Sequence, residues 1–249
     1  METKENIFIK FINKIKSLFV KRLPEINEGT SSDVQKEQDL EMVIFDLDGT
    51  LWHVEETSLI SANEYLELNG YDYRITMDDV TSTMGATFAE TADRYFPMLE
   101  TREERDELLG KLLDYNNQKL VEVGGTLYPD LEETLKVLNE KYRISIVSNC
   151  AGGYIEAFLE SSGLSQYFED FMAAAKEKLS KADTIKKMIE KNNLKNSIYI
   201  GDTIKDKEAA EGAGIEFVQA LYGFGENLET VYSINEIKSL PSLLEQISM

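Results

Sequence analysis

The stretch VIFDLDGTLW, residues 43–52, joins an apolar run to two aspartates and a glycine–threonine pair. A short apolar run that ends in turn-forming residues is typical of a strand buried in a parallel sheet. Asp46 and Asp48 are two residues apart, so along a strand their side chains point to the same face. Two carboxylates at the end of a buried strand cost free energy unless something compensates them. This point of the chain is therefore a candidate functional site.

Four more short apolar runs have the composition of strands. Together with the first run at residues 42–46, they cover residues 144–149, 168–174, 197–202 and 215–220. Helical patterns lie between them, at residues 131–142, 153–163, 181–193 and 206–214. Strands that alternate with helices predict an α/β fold with a doubly wound parallel sheet.

The interval after the first strand departs from this alternation. Residues 54–124 have mainly helical patterns, and Thr101 and Glu104 form a capping-box pair at the start of the longest one. An interval of this length is too long for a loop. We predict an inserted helical cap domain, residues 54–124, carried by a core made of residues 41–53 and 125–249.

The beginning of the chain differs from the rest in charge and in pattern. Residues 1–22 carry six basic and two acidic side chains, and their apolar residues fall on one face of a helix. They predict a basic amphipathic helix, followed by a linker at residues 23–40. Such a helix can bind a membrane surface or a partner through residues 7–20, or pack on the protein itself or in a dimer.

Acidic side chains outnumber basic ones by 46 to 26 in the 249-residue chain, which gives a net charge of −20. This charge repels phosphate backbones, so we expect no nucleic-acid partner. The single cysteine, Cys150, cannot form an intramolecular disulfide, and no apolar run has the length of a membrane span or the form of a signal peptide. We expect a cytoplasmic protein, in which the N-terminal helix is the candidate for a membrane contact.

Polar residues follow three of the predicted strands where each strand ends. They are Asp46, Asp48, Gly49 and Thr50 after the first, Ser148 and Asn149 after the second, and Asp202 and Asp206 after the fourth. The carboxyl ends of parallel strands meet at one edge of a sheet, where ligands bind. Carboxylates gathered there would repel one another unless a hard cation such as Mg²⁺ neutralised them. One aspartate could then attack a phosphorus atom while the other protonates the leaving oxygen.

The motifs DLDGT, VSN, a downstream lysine and GDTIKD resemble, in order and spacing, those of the haloacid dehalogenase-like hydrolase superfamily. The chain is most similar to its phosphoglycolate phosphatase-like branch, in which a helical cap follows the first motif. The resemblance covers about residues 42–225. It implies a Rossmann-like core and a Mg²⁺-dependent phosphatase that acts on small phosphorylated metabolites.

The resemblance also implies roles for individual residues. Asp46 would be the nucleophile that forms an aspartyl-phosphate, and Asp48 the general acid and base. The metal ligands would be Asp46, the backbone carbonyl of Asp48 and Asp202, with support from Asp206 through water. The substrate-binding residues of the first two motifs would be Ser148, Asn149, Gly49 and Thr50.

The lysine of the third motif would offset the charge of the nucleophile and the phosphoryl group. We assign it to Lys181, just inside a predicted helix start, with Lys178 as the alternative. The family often has proline after this lysine, and this sequence has Ala182. We also expect Trp52 to pack at the hinge into the cap, and Gly85 to form a turn that faces the cleft.

Two other functions remain open from the sequence. A phosphomutase would pass the phosphoryl group from the same intermediate to a sugar. A non-catalytic scaffold would use the phosphate site only to sense a ligand. Release of free phosphate from p-nitrophenyl phosphate separates a phosphatase from a mutase, and activity unchanged by Asp46→Asn would favour the scaffold.

Overall fold

The computed structural model describes residues 40–247, which contain a six-stranded parallel sheet with flanking helices. The strands in chain order are β1 (Met42–Phe45), β2 (Trp52–His53), β3 (Thr126–Leu127), β4 (Arg143–Ser148), β5 (Asp170–Ala173), β6 (Ser197–Gly201), β7 (Glu216–Ala220) and β8 (Tyr232–Ile234). The sheet has the order β5-β4-β1-β6-β7-β8, and all its pairs are parallel. The predicted α/β fold class is therefore confirmed.

Ten helices accompany the strands in the described part of the chain. They are α1 (Glu55–Leu68), α2 (Met77–Ser82), α3 (Phe88–Tyr95), α4 (Arg102–Val123), α5 (Leu131–Asn139), α6 (Tyr154–Ser162), α7 (Ala174–Glu177), α8 (Lys181–Lys191), α9 (Ile204–Ala213) and α10 (Leu240–Ile247). Within residues 40–247, none of these helices has the length and hydrophobicity that crossing a bilayer requires.

Strand β1 lies in the middle of the sheet between β4 and β6, and all four of its residues are fully buried. Met42 and Ile44 share one face and join a cluster with Ile185 and Met188 of α8. A parallel strand covered on both faces needs apolar residues at every position, which explains the unbroken run before Asp46. Burial of each large apolar side chain contributes about 1.5 to 3 kcal/mol.

The helical segment, defined here as residues 55–123, contains α1 to α4 and has a hydrophobic cluster of its own. Leu66, Val80, Phe96 and Leu109 are fully buried members of this cluster. Three successive helices, α2, α3 and α4, begin with a complete capping box on a threonine. The predicted cap boundaries, residues 54 and 124, enclose this segment and remain a prediction.

The two short strands β2 and β3 pair antiparallel where the chain enters and leaves the helical segment. Trp52 pairs with Leu127 and His53 with Thr126. A Cβ atom at Gly125 would lie 2.4 Å from Val54 Cγ1, so only glycine fits at this crossing. Neither strand was predicted, because two residues carry no hydrophobic period.

The five predicted strands are present, and each end lies within two residues of the expected one. Strand β8 was not predicted, since its sequence YSI has only three residues and shows no apolar run. The predicted N-terminal helix at residues 1–22, its contact region at residues 7–20 and nearly all of the linker lie outside the described residues.

Candidate active site

The register of the sheet brings three strand ends to one edge. Phe45 at the end of β1 pairs with Ile146 of β4 on one side and with Ile200 of β6 on the other. The backbone N–H of Asp46 extends the ladder by donating to the carbonyl oxygen of Ile200 at 2.8 Å. The residues that follow β1, β4 and β6 therefore meet, as the sequence predicts.

Asp46, Asp202 and Asp206 form a buried carboxylate cluster at this edge. One oxygen from each lies within 4.8 Å of the others, and each residue is at most 2% exposed. Burial raises the pKa of Asp46 to about 6, against the opposing effect of Lys181. Burial, Asp206 and Asp46 together raise the pKa of Asp202 to about 7. The protein alone therefore does not keep all the carboxyl groups of the cluster ionised at neutral pH. A bound cation would favour their ionised forms.

Lys181 is the cation that the chain itself supplies to the cluster. Its Nζ lies 2.8 Å from Asp46 Oδ1 and 2.5 Å from Asp206 Oδ1, and the residue is 6% exposed. Burial alone would lower the pKa of Lys181, but Asp206 and Asp46 outweigh it and raise that pKa. Ser180 caps the start of α8 and so fixes the position of the lysine. Lys178, the alternative, is exposed at the end of α7.

Both carboxylate oxygens of Asp206 are already engaged by protein atoms. Oδ1 contacts Lys181, while Oδ2 accepts hydrogen bonds from the Thr203 backbone N–H at 2.9 Å and hydroxyl at 2.6 Å. These bonds form the capping box at the start of α9. Asp206 therefore holds the lysine and the helix in place, which fits a supporting role better than a direct metal contact.

Asp202 is held by a glycine-rich loop after β7 that the sequence prediction missed. The N–H groups of Phe224 and Gly225 donate to Asp202 Oδ2 at 2.7 and 3.3 Å. A Cβ atom at Gly223 would lie 2.3 Å from Asp202 Cβ, so the close approach requires glycine there. The sequence GFG at residues 223–225, shortly after the end of β7, was the signal that could have found this loop.

Asp48 has its own partners, separate from the carboxylate cluster. Its Oδ1 accepts hydrogen bonds from Tyr154 Oη at 2.6 Å and from Trp52 Nε1 at 3.1 Å. Burial raises the pKa of Asp48 to about 7, although the Tyr154 hydroxyl opposes the shift. Trp52 also packs edge-on against Phe158, so it combines the expected packing with a contact to the acid. Tyr154, the first residue of α6, was not predicted.

The predicted substrate-binding residues fall into two groups. Ser148 and Asn149 both line the cavity in front of Asp46, and Ser148 is buried. Thr50 Oγ1 lies 3.5 Å from Asp202 Oδ1, and Asn149 Nδ2 donates to the Gly85 carbonyl oxygen at 3.1 Å. Thr50 therefore contacts the acid of the last motif, Asn149 connects the cavity to the helical segment, and their substrate-binding roles remain predictions.

Gly49 and Gly85 both have positive φ angles, +76° and +70°. A Cβ atom at Gly49 would lie 2.3 Å from Asp202 Oδ2, so this position keeps the first motif next to the acid of the last one. Gly85 lines the cavity, in the place that the sequence predicts for a turn facing the cleft.

A small cavity of about 110 Å³ lies in front of the two aspartates of the first motif. The core lines it with Asp46, Asp48, Ser148 and Tyr154, and the helical segment lines the other side. Ligand pockets for larger molecules usually have volumes of about 300 to 1,000 Å³. The cavity therefore has room for a phosphoryl group with a small substituent.

The chemistry of the cluster fits a divalent cation. All donors are carboxylate oxygens, which suit a hard ion such as Mg²⁺. Asp46 Oδ1 is buried and, apart from the ion pair with Lys181, accepts no hydrogen bond from residues 40–247. A carboxylate oxygen has more than one lone pair, so Asp46 Oδ1 can contact Lys181 and still bind a metal ion.

The sequence matches the family model of the haloacid dehalogenase-like hydrolases over residues 43–220. The chain belongs to this family and is a hydrolase of its phosphoglycolate phosphatase-like branch. The predicted family, branch and enzyme class are confirmed.

Two relatives and one solved structure illustrate the similarity. Phosphoglycolate phosphatase from Vibrio parahaemolyticus is 26% identical over 230 residues, which cover 86% of this chain and 98% of the relative. Phosphoglycolate phosphatase from Agrobacterium fabrum is 26% identical over 219 residues, 83% of this chain and 93% of the relative. The structure of a predicted phosphoglycolate phosphatase from Haemophilus somnus has a TM-score of 0.70 and 19% identity, and the match covers 84% and 99% of the two chains.

Proposed function

We propose that the protein is a Mg²⁺-dependent phosphatase that hydrolyses small phosphomonoesters through an aspartyl-phosphate at Asp46. The observation that carries the proposal is the position of Asp46, whose buried carboxylate lies between Lys181 and the other acids and faces the small cavity. Family membership and the phosphatase names of the two relatives support it.

In the first step, a carboxylate oxygen of Asp46 forms a bond to phosphorus while the bond from phosphorus to the ester oxygen breaks. The leaving oxygen takes the proton of Asp48. With a pKa of about 7, Asp48 holds that proton in a large fraction of molecules near neutral pH. Lys181 stays paired with Asp46 and offsets the negative charge of the phosphoryl group.

In the second step, Asp48 is a carboxylate and takes a proton from a water molecule as the water oxygen forms a bond to phosphorus. The bond between phosphorus and the Asp46 oxygen breaks, inorganic phosphate is released, and both aspartates return to their starting state. Tyr154 and Trp52 fix the Asp48 side chain in both steps by donating to the same oxygen.

Asp46, Asp202 and the backbone carbonyl of Asp48 would hold the Mg²⁺ ion, with Asp206 behind them. When bound, the ion supplies positive charge that keeps the carboxylates ionised and lowers the repulsion of a phosphate dianion. The glycine-rich loop that donates to Asp202 Oδ2 leaves Oδ1 as the oxygen available to the ion, beside the Thr50 hydroxyl.

The test measures free phosphate released from p-nitrophenyl phosphate by the full chain with Mg²⁺, with a chelator, and after Asp46→Asn. We expect turnover that chelation and the substitution each abolish. Asp72→Asn, the same change at an exposed position of the helical segment, is the matched control and should turn over like the wild type. Little free phosphate would favour the mutase, and equal turnover by Asp46→Asn would contradict the proposal.

A cytoplasmic location and a peripheral membrane contact through residues 7–20 are further parts of the proposal, carried only by the sequence. Liposomes that contain anionic lipid should sediment the full chain better than a chain without residues 1–22. Equal sedimentation of both chains would end the membrane part and leave the catalytic part unaffected.

A further inference from the structure

The cavity in front of Asp46 has a wall that belongs to the helical segment. If an ester binds with its phosphorus next to Asp46, its leaving group lies toward this wall, because the core residues occupy the other side. The chemistry of the wall therefore selects the leaving group. The following inference rests on the proposed phosphatase function and extends it to the class of substrate.

Asn117 of α4 lines this cavity and is only 3% exposed. Its Nδ2 donates to the carbonyl oxygen of Gly152 at 3.2 Å. That contact fixes the orientation of the side chain, because the reversed amide would place two oxygens against each other. Asn117 Oδ1 is buried and has no hydrogen-bond partner among residues 40–247.

A buried acceptor without a partner is costly, and a ligand that brings a donor removes the cost. A hydroxyl group of the leaving group is such a donor. A carboxylate is not, since it carries only acceptors at neutral pH.

The charge of the cavity points in the same direction. The titratable side chains in its lining are acids: Asp46, Asp48, Tyr95, Cys150 and Tyr154. None of these side chains is a cation, so a leaving group with a negative charge has no positively charged partner in this lining. The volume of about 110 Å³ favours a small leaving group.

We infer that the preferred substrates are phosphomonoesters of small, uncharged, hydroxylated alcohols, and that Asn117 selects them by accepting a hydrogen bond from the hydroxyl. Phosphoglycolate, whose leaving group ends in a carboxylate, is a poorer substrate than an uncharged ester of the same length. An ester of the same length whose leaving group lacks the hydroxyl is also a poorer substrate.

The test compares matched esters on the full chain with Mg²⁺. Ethyl and 2-hydroxyethyl phosphate form one pair, propyl and 3-hydroxypropyl phosphate form a second, and phosphoglycolate is the carboxylate counterpart of the first. In at least one pair, kcat/KM should be about 5- to 10-fold higher for the hydroxylated ester. For phosphoglycolate it should be at least about 10-fold lower than for 2-hydroxyethyl phosphate.

The variant Asn117→Ala tests the assignment to this residue. The ratio between the hydroxylated and the plain ester should fall to about one, because the acceptor is gone. Asn69→Ala makes the same change at an exposed position outside the cavity lining and should keep the wild-type ratio. Wild-type ratios near one in both pairs, or a preference for phosphoglycolate, would overturn the inference even if Asn117→Ala did not fold.

Binding separates this inference from the proposed function. Calorimetry with Asp46→Asn should show the hydroxylated esters binding about 5-fold more tightly than the plain ones, and Asp46→Asn with Asn117→Ala should lose that preference. The binding preference without turnover of any ester by the wild type would contradict the phosphatase proposal and support the selection by Asn117. Turnover of all esters without a preference would support the phosphatase proposal and contradict the selection by Asn117.

Discussion

The edge of the sheet and the helical segment contribute to the same cavity in different ways. At the edge, four buried charged side chains, Asp46, Lys181, Asp202 and Asp206, contact one another directly or lie within a few ångströms. The helical segment contributes neutral groups, of which the Asn117 amide is an example. Under the proposed function, the edge determines the reaction and the helical segment selects the molecule that undergoes it. Substitutions at the edge should therefore affect all esters equally, and those in the helical wall should affect some esters more than others.

The largest expected effect comes from Asp46→Asn at the edge. The amide cannot form the phosphoryl bond, so kcat should fall at least about 1,000-fold for every ester that the wild type hydrolyses. Single-turnover kinetics with an uncharged ester and with phosphoglycolate measure the fall in rate. Circular dichroism checks that the variant is folded. A loss restricted to one ester would break the division between the two regions.

Lys181→Met should have the next largest effect. It removes the cation that pairs with Asp46 and Asp206, so kcat should fall about 100-fold. The free energy of unfolding should fall by about 3 to 5 kcal/mol, because two buried carboxylates lose their partner. Urea denaturation and steady-state kinetics measure the two effects. Lys178→Met is the control, and activity lost there instead would show that the lysine is assigned wrongly.

Tyr154→Phe should reduce kcat/KM about 10-fold, since one hydrogen bond to Asp48 is lost. Tyr154 opposes the rise in the pKa of Asp48, so its removal raises that pKa further. A general acid with a higher pKa keeps its proton to higher pH. The alkaline limb of the plot of kcat/KM against pH should therefore move to higher pH. A uniform loss at all pH values would mean that Tyr154 is only structural.

The smallest expected effect is on stability. Ionisation of an aspartate destabilises the fold at the edge and stabilises it in the helical segment. Asp202 at the edge has its pKa raised by burial, so in the chelated protein its ionisation costs stability as pH rises from about 4 to about 7. Asp79 in the helical segment has its pKa lowered, because bonds from Thr76 and Arg94 outweigh its burial. Its ionised form therefore stabilises the fold above about pH 4.

With a chelator near pH 8, Asp202→Asn should raise Tm by a few degrees and Asp79→Asn should lower it by a similar amount. Near pH 4 both differences should shrink. Thermal unfolding followed by circular dichroism measures all four conditions. The same sign for both variants at high pH would contradict the electrostatic contrast between the regions.

The two regions also differ in how far the sequence predicts them. The aspartates and Lys181 lie at fixed positions after strands or at a helix start, so their place in the fold follows from local patterns. Tyr154 and the loop at residues 223–225 reach the site by packing from other elements, and no local pattern marks their partners. Asn117 lies in a 22-residue helix, where its polar side chain looks like any surface position until the packing buries it.

The central claim is that Asp46 accepts the phosphoryl group with the help of a divalent cation. The most direct measurement mixes the full chain with p-nitrophenyl phosphate and Mg²⁺, quenches with acid within milliseconds, and locates the modification by peptide mass spectrometry. We predict one phosphoryl group on Asp46, absent when the cation is chelated. A phosphoryl group on another residue, or turnover at the full rate with Asp46 unmodified, would contradict the account.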